Sequence, residues 1–364
     1  MEVKIYDSLD ECHDLREDWN EMAAKNSCGP FGIGVTCTFE FFETIAQTHL
    51  NETKQHILVA RDSGRVMGIL PCYSIKNRNL GMRQWDLKQI SEIYPGRTGF
   101  LLREQSMKCL AALLDTLYKE LKIWDTFSIT MVKESVSEKL LLDTLRDRRY
   151  RIEQVGVTHV PYIELSSTWD DYLLTRKSHF RSGLKRRRKK LASQGVLEIK
   201  KYATEEEVPE FLDAMLKIER QSWKETSGTS LTRNPKQEEF HRQFAVVCAR
   251  AGWLRCYLLC FDGLPIAYHY NVLYSGVLYD FKSSYIESYK RNAPGKILRS
   301  MFLEQIIDEG VKFMDYLGDL QPHKMDWTDK TYQLTNYRLF NDSLRGKLQR
   351  VKYKIAHSTH KNVK

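Results

Sequence analysis

The sequence predicts an α/β chain built twice, two diverged copies of one unit in which helices flank a mixed, mostly antiparallel sheet. Three observations carry this. A strand, two helices and a β-hairpin open the chain, and the same order restarts after residue 195. KIYDS at 4–8 matches KKYAT at 200–204, and ILVARDSGRVMGILPCY at 57–73 matches YLLCFDGLPIAYHYNV at 257–272, at offsets of 196 and 200. With 364 residues, 42% hydrophobic and 28% charged, the chain suits a soluble globular protein with more than one core. The expected division is an N-terminal unit over 1–166, a basic junction helix over 167–195 and a C-terminal unit over 196–364.

The elements follow in order. Val3–Asp7 reads as a strand. Ser8 with Glu11 has capping-box spacing, and Leu9, Cys12, Leu15, Trp19 and Met22 repeat at a helical period. A second helix covers Thr38–His49. A hairpin follows, His56–Arg61 and Val66–Ile75, turning at Asp62-Ser63-Gly64. Strands are expected over Gln84–Ser91, Gly99–Leu102, Asp125–Val132, Tyr150–Val157 and Val160–Leu165, and helices over Glu104–Lys122 and Ser137–Asp147. Thr168 caps a long basic helix to about Gln194, with Tyr172, Leu173, Phe180, Leu184 and Leu191 as its buried stripe and Gly195 as C-cap. The second copy then runs: strand Leu197–Tyr202, Thr204 as N-cap with Glu207, a helix to about Glu225, a helix over Lys236–Ala251, and the hairpin Trp253–Phe261 and Pro265–Tyr274 around Asp262-Gly263.

The net charge is +9, and Arg176–Lys190 alone holds nine basic residues and no acid. The remainder is formally neutral, so a polyanionic partner is suggested at that one place. Aromatic interleaving of the basic run is sparse, only Phe180, which argues against base stacking on nucleic acid. A solvated helix face, phosphate binding, and attraction of a lipid-diphosphate acceptor in peripheral contact with a membrane surface are the readings left open. Eight cysteines form no CxxC pair and no His cluster accompanies them, so buried thiols and no structural metal are expected. The acidic N-terminus lacks a signal-peptide h-region, no apolar run approaches membrane-spanning length, and a cytoplasmic protein is expected.

The chemistry concentrates between residues 279 and 327. A tyrosine-rich strand ends at Tyr285, and Pro294-Gly295-Lys296 opens a helix. A strand, a turn and a helix N-terminus together favour a bound anion. Gly295 would let the backbone approach a pyrophosphate, against the plainer reading of a Pro-initiated helix start. Phe313–Tyr316 reads as a short strand. Asp315 at its end is a base or a turn residue. Lys324, in the loop beyond, neutralises a diphosphate or an oxyanion, or is simply solvated. On the preceding strand Tyr268 and Tyr270 face one way, His269 and Asn271 the other. His269 suits general-base work on an ammonium nucleophile, or is a structural histidine. Asp280 and Lys282 are expected on one face, alternating with Tyr279, and opposite His269. Trp223 walls a pocket or packs in the core.

Four pieces in order, SHFRSGLKRRRKKL, FKSSYIESY, APGKIL and FMDYLGDLQPHKMDW, resemble the GNAT acyltransferase superfamily, and more narrowly the branch grouping CelD-type acetyltransferase-like proteins with the FemABX aminoacyltransferases. The resemblance covers roughly 168–330 well and the first half by fold repetition. It implies tandem GNAT-like domains, with the donor site in the second and a supporting or acceptor-holding role for the first. It implies transfer of an acyl group from acyl-CoA or acetyl-CoA, without a metal, to an amine acceptor such as a saccharide or small molecule, in polysaccharide, cell-envelope or natural-product biosynthesis. Pro294, Gly295, Lys296, Tyr268 and Tyr285 would hold the donor, its pantetheine arm lying along Ile266–Asn271. Trp223, Tyr279 and Lys282 would meet the acceptor. His269, Asp280, Asp315 and Lys324 would carry the chemistry. The family's glycine-rich motif is reduced here to Ala293-Pro294-Gly295, so two further readings stay open: an aminoacyltransferase using aminoacyl-tRNA, and a non-catalytic binding protein. The missing helical-hairpin insertion leans against the tRNA reading.

Overall fold

A computed structural model describes residues 1–27, 32–79, 81–89, 97, 99–121, 123–165 and 168–361. Cys28 lies outside the described residues. The chain forms two compact units, Met1–His159 with Tyr332–Lys364, and Val160–Thr331. The first runs through β1 (Glu2–Tyr6), α1 (Arg16–Lys25), α2 (Phe39–His49), β2 (Gln55–Asp62), β3 (Arg65–Asn79), β4 (Met82–Lys88), β5 (Leu101–Leu102), α3 (Met107–Lys119), β6 (Thr126–Val132), α4 (Val136–Asp147) and most of β7 (Arg151–Glu164). The second takes the end of β7, then α5 (Trp169–Leu174), α6 (Ser178–Ala192), β8 (Leu197–Tyr202), α7 (Val208–Arg220), α8 (Trp223–Ser227), α9 (Pro235–Arg250), β9 (Leu254–Phe261), β10 (Leu264–Tyr274), β11 (Val277–Tyr285), α10 (Pro294–Asp308), β12 (Phe313–Asp315) and α11 (Pro322–Met325). With β13 (Thr331–Phe340) and α12 (Leu344–Lys361) the chain returns to the first unit.

Each unit repeats one ladder. In the first the order is β1-β2-β3-β4-β6-β13, with β5 on β3; in the second it is β8-β9-β10-β11-β12-β7. Both are antiparallel except at one joint, β4 with β6 and β11 with β12, where the strands run parallel. The expected duplication is therefore present in topology as well as in element order.

The expected boundaries at 166 and 196 are redrawn by two strands. β13 pairs along β6 from Leu334↔Val132 to Phe340↔Thr126, so the end of the chain completes the first ladder. The end of β7 pairs with β12, Glu164↔Phe313 to Tyr162↔Asp315, and completes the second. The basic helix is a member of the second unit rather than a junction. It is also two helices: Thr168 Oγ1 caps only α5, accepting from Asp171 N at 3.1 Å, and α6 starts afresh at Ser178. Gly195 is not a left-handed cap; it is glycine because a Cβ there would fall 2.4 Å from an Asp262 carboxylate oxygen.

Turn chemistry explains the matched hairpins. Ser63-Gly64 and Asp262-Gly263 each hold two successive residues at positive φ, 48° and 81°, then 48° and 78°, the type I′ pattern that suits the twist of paired strands. Ser8 does not cap an α-helix, because Leu9–Leu15 is a 3-10 helix leading into α1. Half of the expected capping box at Thr204 forms: the Glu207 carboxylate accepts from Ala203 N and Thr204 N, and the α-helix begins later, at Val208.

In the first unit α3 lays Leu110, Leu113, Leu114 and Leu117, all fully buried, against Leu58, Leu70, Leu87 and Phe127 of the sheet. Each such leucine contributes roughly 1.5–3 kcal/mol of burial. In the second unit α7 and α9 cover one face of the sheet, where Phe211 and His241 pack on Tyr270. α10 covers the other, where Phe302 stacks on Tyr257 and meets the edge of His269.

Candidate active site

After β11 the chain makes a 3-10 turn over Glu287–Asn292, and Ala293 sits in the left-handed region at φ 52°. α10 then begins at Pro294 with no side chain capping it. Pro294 has no N–H, and Lys296 N and Ile297 N already donate to the Ala293 carbonyl at 3.0 and 3.2 Å, so what this helix start offers an anion is chiefly its positive dipole end. Gly295 is not demanded by backbone conformation: a Cβ would meet only a Tyr285 ring carbon, at 3.7 Å. Lys296 Nζ lies 2.5 Å from Asp326 Oδ2 and above the Phe180 ring of α6, tying the basic helix to this end of α10.

A buried ionic cluster stands behind that turn. His269 Nδ1 is 3.4 Å from Asp280 Oδ1, and Arg299 of α10 donates to Asp280 Oδ2 at 2.6 Å and to the Tyr316 hydroxyl at 3.0 Å. Burial alone would raise the Asp280 carboxyl, but Arg299 and then His269 outweigh it and hold it well below the usual carboxylate range. Burial and the Arg299 charge push His269 down, opposed by Asp280 and by a backbone hydrogen bond with Gly295, so the ring is neutral at pH 7. Lys324 sits over the Tyr316 ring and donates to the Asp319 carbonyl at 3.0 Å. Burial lowers its ammonium too, with Asp280 opposing. Asp315 is fully buried, and its Oδ1 accepts from Leu317 N at 2.7 Å, the geometry of a turn residue closing β12.

The opposite face of β11 carries a second cluster. Tyr268 donates to Glu219 Oε1 at 2.6 Å; Leu231 N donates to Glu219 Oε2 at 3.0 Å; Lys224 bridges Glu219 at 3.3 Å and the Ser283 carbonyl at 2.7 Å. Lys282 was expected to share a face with Asp280. It does not, because the register skips Phe281: Tyr270 pairs with Lys282 and Asn271 with Asp280. This β-bulge turns Phe281 and Lys282 to the Tyr270 side. Burial, and then the Lys224 charge, lower the Lys282 ammonium to about 8, with Glu219 opposing. Trp223, expected to end a helix, opens α8 and is 47% exposed nearby in sequence to Lys224. Tyr279 is buried in the ladder opposite Asp315.

The expected path for a donor arm along Ile266–Asn271 is closed, because β10 is hydrogen-bonded on both sides, by β9 and β11. The open edge is on β11. It pairs with β12 only over Val277–Tyr279, so from Asp280 onward that side of the strand is unpaired among the described residues.

A profile described as an acetyltransferase (GNAT) domain matches residues 178–325. The match spans the junction of β11 with β12, the α10 turn and both clusters. Residues 178–325 are thus similar to the GNAT acetyltransferase domain. Comparison of folds finds similar architectures. The crystal structure of FemX superposes with a TM-score of 0.63 at 13% identity, covering 96% of this chain and 99% of the other. A protein of unknown function from Bacteroides thetaiotaomicron gives 0.58 at 11% identity over 93% and 100%. A tandem GNAT protein from the clavulanic acid biosynthesis pathway gives 0.50 at 13% identity over 93% and 98%. No curated protein matches the sequence.

Both units keep the parallel joint, but among the described residues only the second has the helix start described above. The first holds instead a polar cleft of about 430 Å³, lined by Asn77, Gln84, Asp86, Lys88, Asn336 and Arg338 among others. Asp86 is locked there by Asn77, Gln84 and Thr126. Four residues of the GNAT domain escaped the sequence reading: Glu219, Lys224, Arg299 and Tyr316. Two had a signal. Glu219 is an acid in the last turn of a helix, against the dipole, and Arg299 interrupts the apolar run of α10.

Proposed function

We propose that this protein is a GNAT-type N-acyltransferase that takes an acyl group from acyl-CoA and delivers it to an amine acceptor. The observation that carries the reading is the juxtaposition of the uncapped α10 start with the unpaired edge of a bulged β11. The first suits the donor's diphosphate, with Lys296 beside it, and the second offers backbone groups to the donor's amide-bearing arm.

In this reading Pro294, Gly295, Lys296 and Tyr285 hold the donor. His269, Asp280 and Arg299 act as buried positioning groups that fix β10, β11 and α10 to one another. Lys324, at the end of the same cluster, supplies positive charge to the oxyanion of the tetrahedral intermediate. Lys282, titrating near 8 on the other face of the strand, takes the ammonium proton of the acceptor. The amine nitrogen bonds to the acyl carbon, the carbon–sulfur bond breaks, and CoA leaves as a thiolate that takes up the proton the nitrogen sheds. Cys256 and Cys260 are raised by burial, which disfavours a cysteine-bound intermediate. Asp315 acts as a turn residue, Trp223 and Tyr279 as walls, and Tyr268 as the holder of Glu219. The polar cleft supports an acceptor-holding role for the first unit.

Calorimetric titration with acetyl-CoA and longer acyl-CoAs tests this, repeated with Gly295→Glu. A Cβ has room at this position, and the glutamate sets a negative charge against the diphosphate. Binding by the wild type and loss of at least about tenfold in the variant is expected. Absence of binding to any CoA thioester would remove the proposal. The shared fold with FemX and the basic face of α6 favour aminoacyl-tRNA as the second reading; transfer from charged tRNA without any affinity for CoA thioesters would select it.

A further inference from the structure

α12 is an amphipathic helix packed the wrong way round. Its Leu344, Leu348, Val351 and Ile355 recur at four, three and four residues, the spacing of a single apolar stripe. In a helix that serves the core this stripe would be buried. Here the four are 75%, 45%, 55% and 60% exposed. The helix is held to the first unit by its other face. Gly346 packs so close to Asn341 that a Cβ would fall 2.2 Å from its carbonyl oxygen. Gln349 is buried, Tyr353 packs against Phe340 and under Arg338, and Arg350 pairs with Glu153 at 2.8 Å.

The stripe has cationic borders on both sides. At 100° per residue, Arg345 and Lys352 lie along one edge and Lys347 and Lys354 along the other, Lys354 also pairing with Glu153 at 3.3 Å. Between Leu344 and Ala356 the helix contains no acidic residue. A second copy of this chain is a poor occupant, since facing stripes would bring these cations against their own copies. Lipid acyl chains suit the apolar centre, and anionic headgroups suit both edges. We propose that α12 is a membrane-surface docking site, lying flat with Leu344, Leu348, Val351 and Ile355 in the interface of an anionic bilayer. Among the described residues no helix is long and apolar enough to cross a membrane, so the attachment is peripheral.

Vesicle flotation of the full chain tests this, using phosphatidylcholine alone and phosphatidylcholine with about a third phosphatidylglycerol. The protein is expected to float with the anionic vesicles at least about tenfold more than with the neutral ones, and to release as salt rises. Leu348→Asp with Val351→Asp changes exposed side chains only, so its melting temperature should match the wild type while flotation is lost. Arg345→Gln with Lys347→Gln should weaken flotation on anionic vesicles alone. Equal flotation of the wild type and the aspartate variant would overturn the proposal, as would no flotation of the wild type. A concentration-dependent dimer in light scattering, abolished by the aspartate pair, would assign the stripe to a second copy instead.

Discussion

Arg299 of α10 and Asp280 of β11 form a buried ion pair in the second unit. Removing one partner leaves the other charge buried and uncompensated, so Arg299→Met should cost about 3–5 kcal/mol in denaturant unfolding. Arg299→Met with Asp280→Asn removes both charges and should cost clearly less, a non-additive pair. Lys282 makes the catalytic prediction at this scale. A base must be neutral to accept a proton, so kcat/KM should rise with pH through about 8, and Lys282→Met should lack that rise while keeping acyl-CoA affinity. An unchanged profile would remove Lys282 from the chemistry. The sequence brought His269 and Asp280 together correctly, because period-two alternation carries across a hairpin. It misplaced Lys282, because one extra residue at Phe281 reverses the face and alternation alone gives no sign of a bulge.

At the scale of elements, α6 presents its basic residues while Phe180, Leu184 and Leu191 are buried. Phe180 packs edge-on against Trp327, and Lys296 lies over it. Neutralising Arg186, Arg187 and Arg188 with glutamine should leave the fold intact, weaken binding of a phosphate-bearing donor or acceptor, and flatten its salt dependence. Unmoved affinity across salt would make the helix structural only. Hairpin turns were the most legible elements, because Ser-Gly and Asp-Gly turn chemistry acts locally, whereas the helices expected to start at Ser8, Thr168 and Thr204 were redrawn. The α12 stripe shows the converse. Its periodicity reads as a core helix, and only the packing of Gly346 and Tyr353 on the opposite face reveals where the apolar side points.

For the whole molecule, the duplication was readable because hairpins at offset 200 keep their turn chemistry. The exchange of β7 and β13 was not, because strand pairing is non-local and either copy's last strand fits either ladder by composition. Stability should depend on pH through groups buried uncharged or ion-paired. His56 is buried in the first unit and lowered by burial from 6.5 to about 4. Its folded value lies below its unfolded one, so its contribution is complete above pH 6.5 and is lost as pH falls toward 4, on the order of 3 kcal/mol. His269 has the same sign, and Asp280, depressed by Arg299, adds a further loss below the ordinary carboxylate range. Urea midpoints at descending pH should fall over this window, and His56→Gln should flatten its upper part.

The central claim is that the donor lies on β11 and the start of α10. Hydrogen–deuterium exchange with and without saturating acetyl-CoA measures this directly. The account predicts protection over Asp280–Ile297 and around Lys324, with residues 57–73 of the first copy unchanged. Binding that protects the first copy's hairpin and leaves Gly295–Ile297 untouched would contradict it.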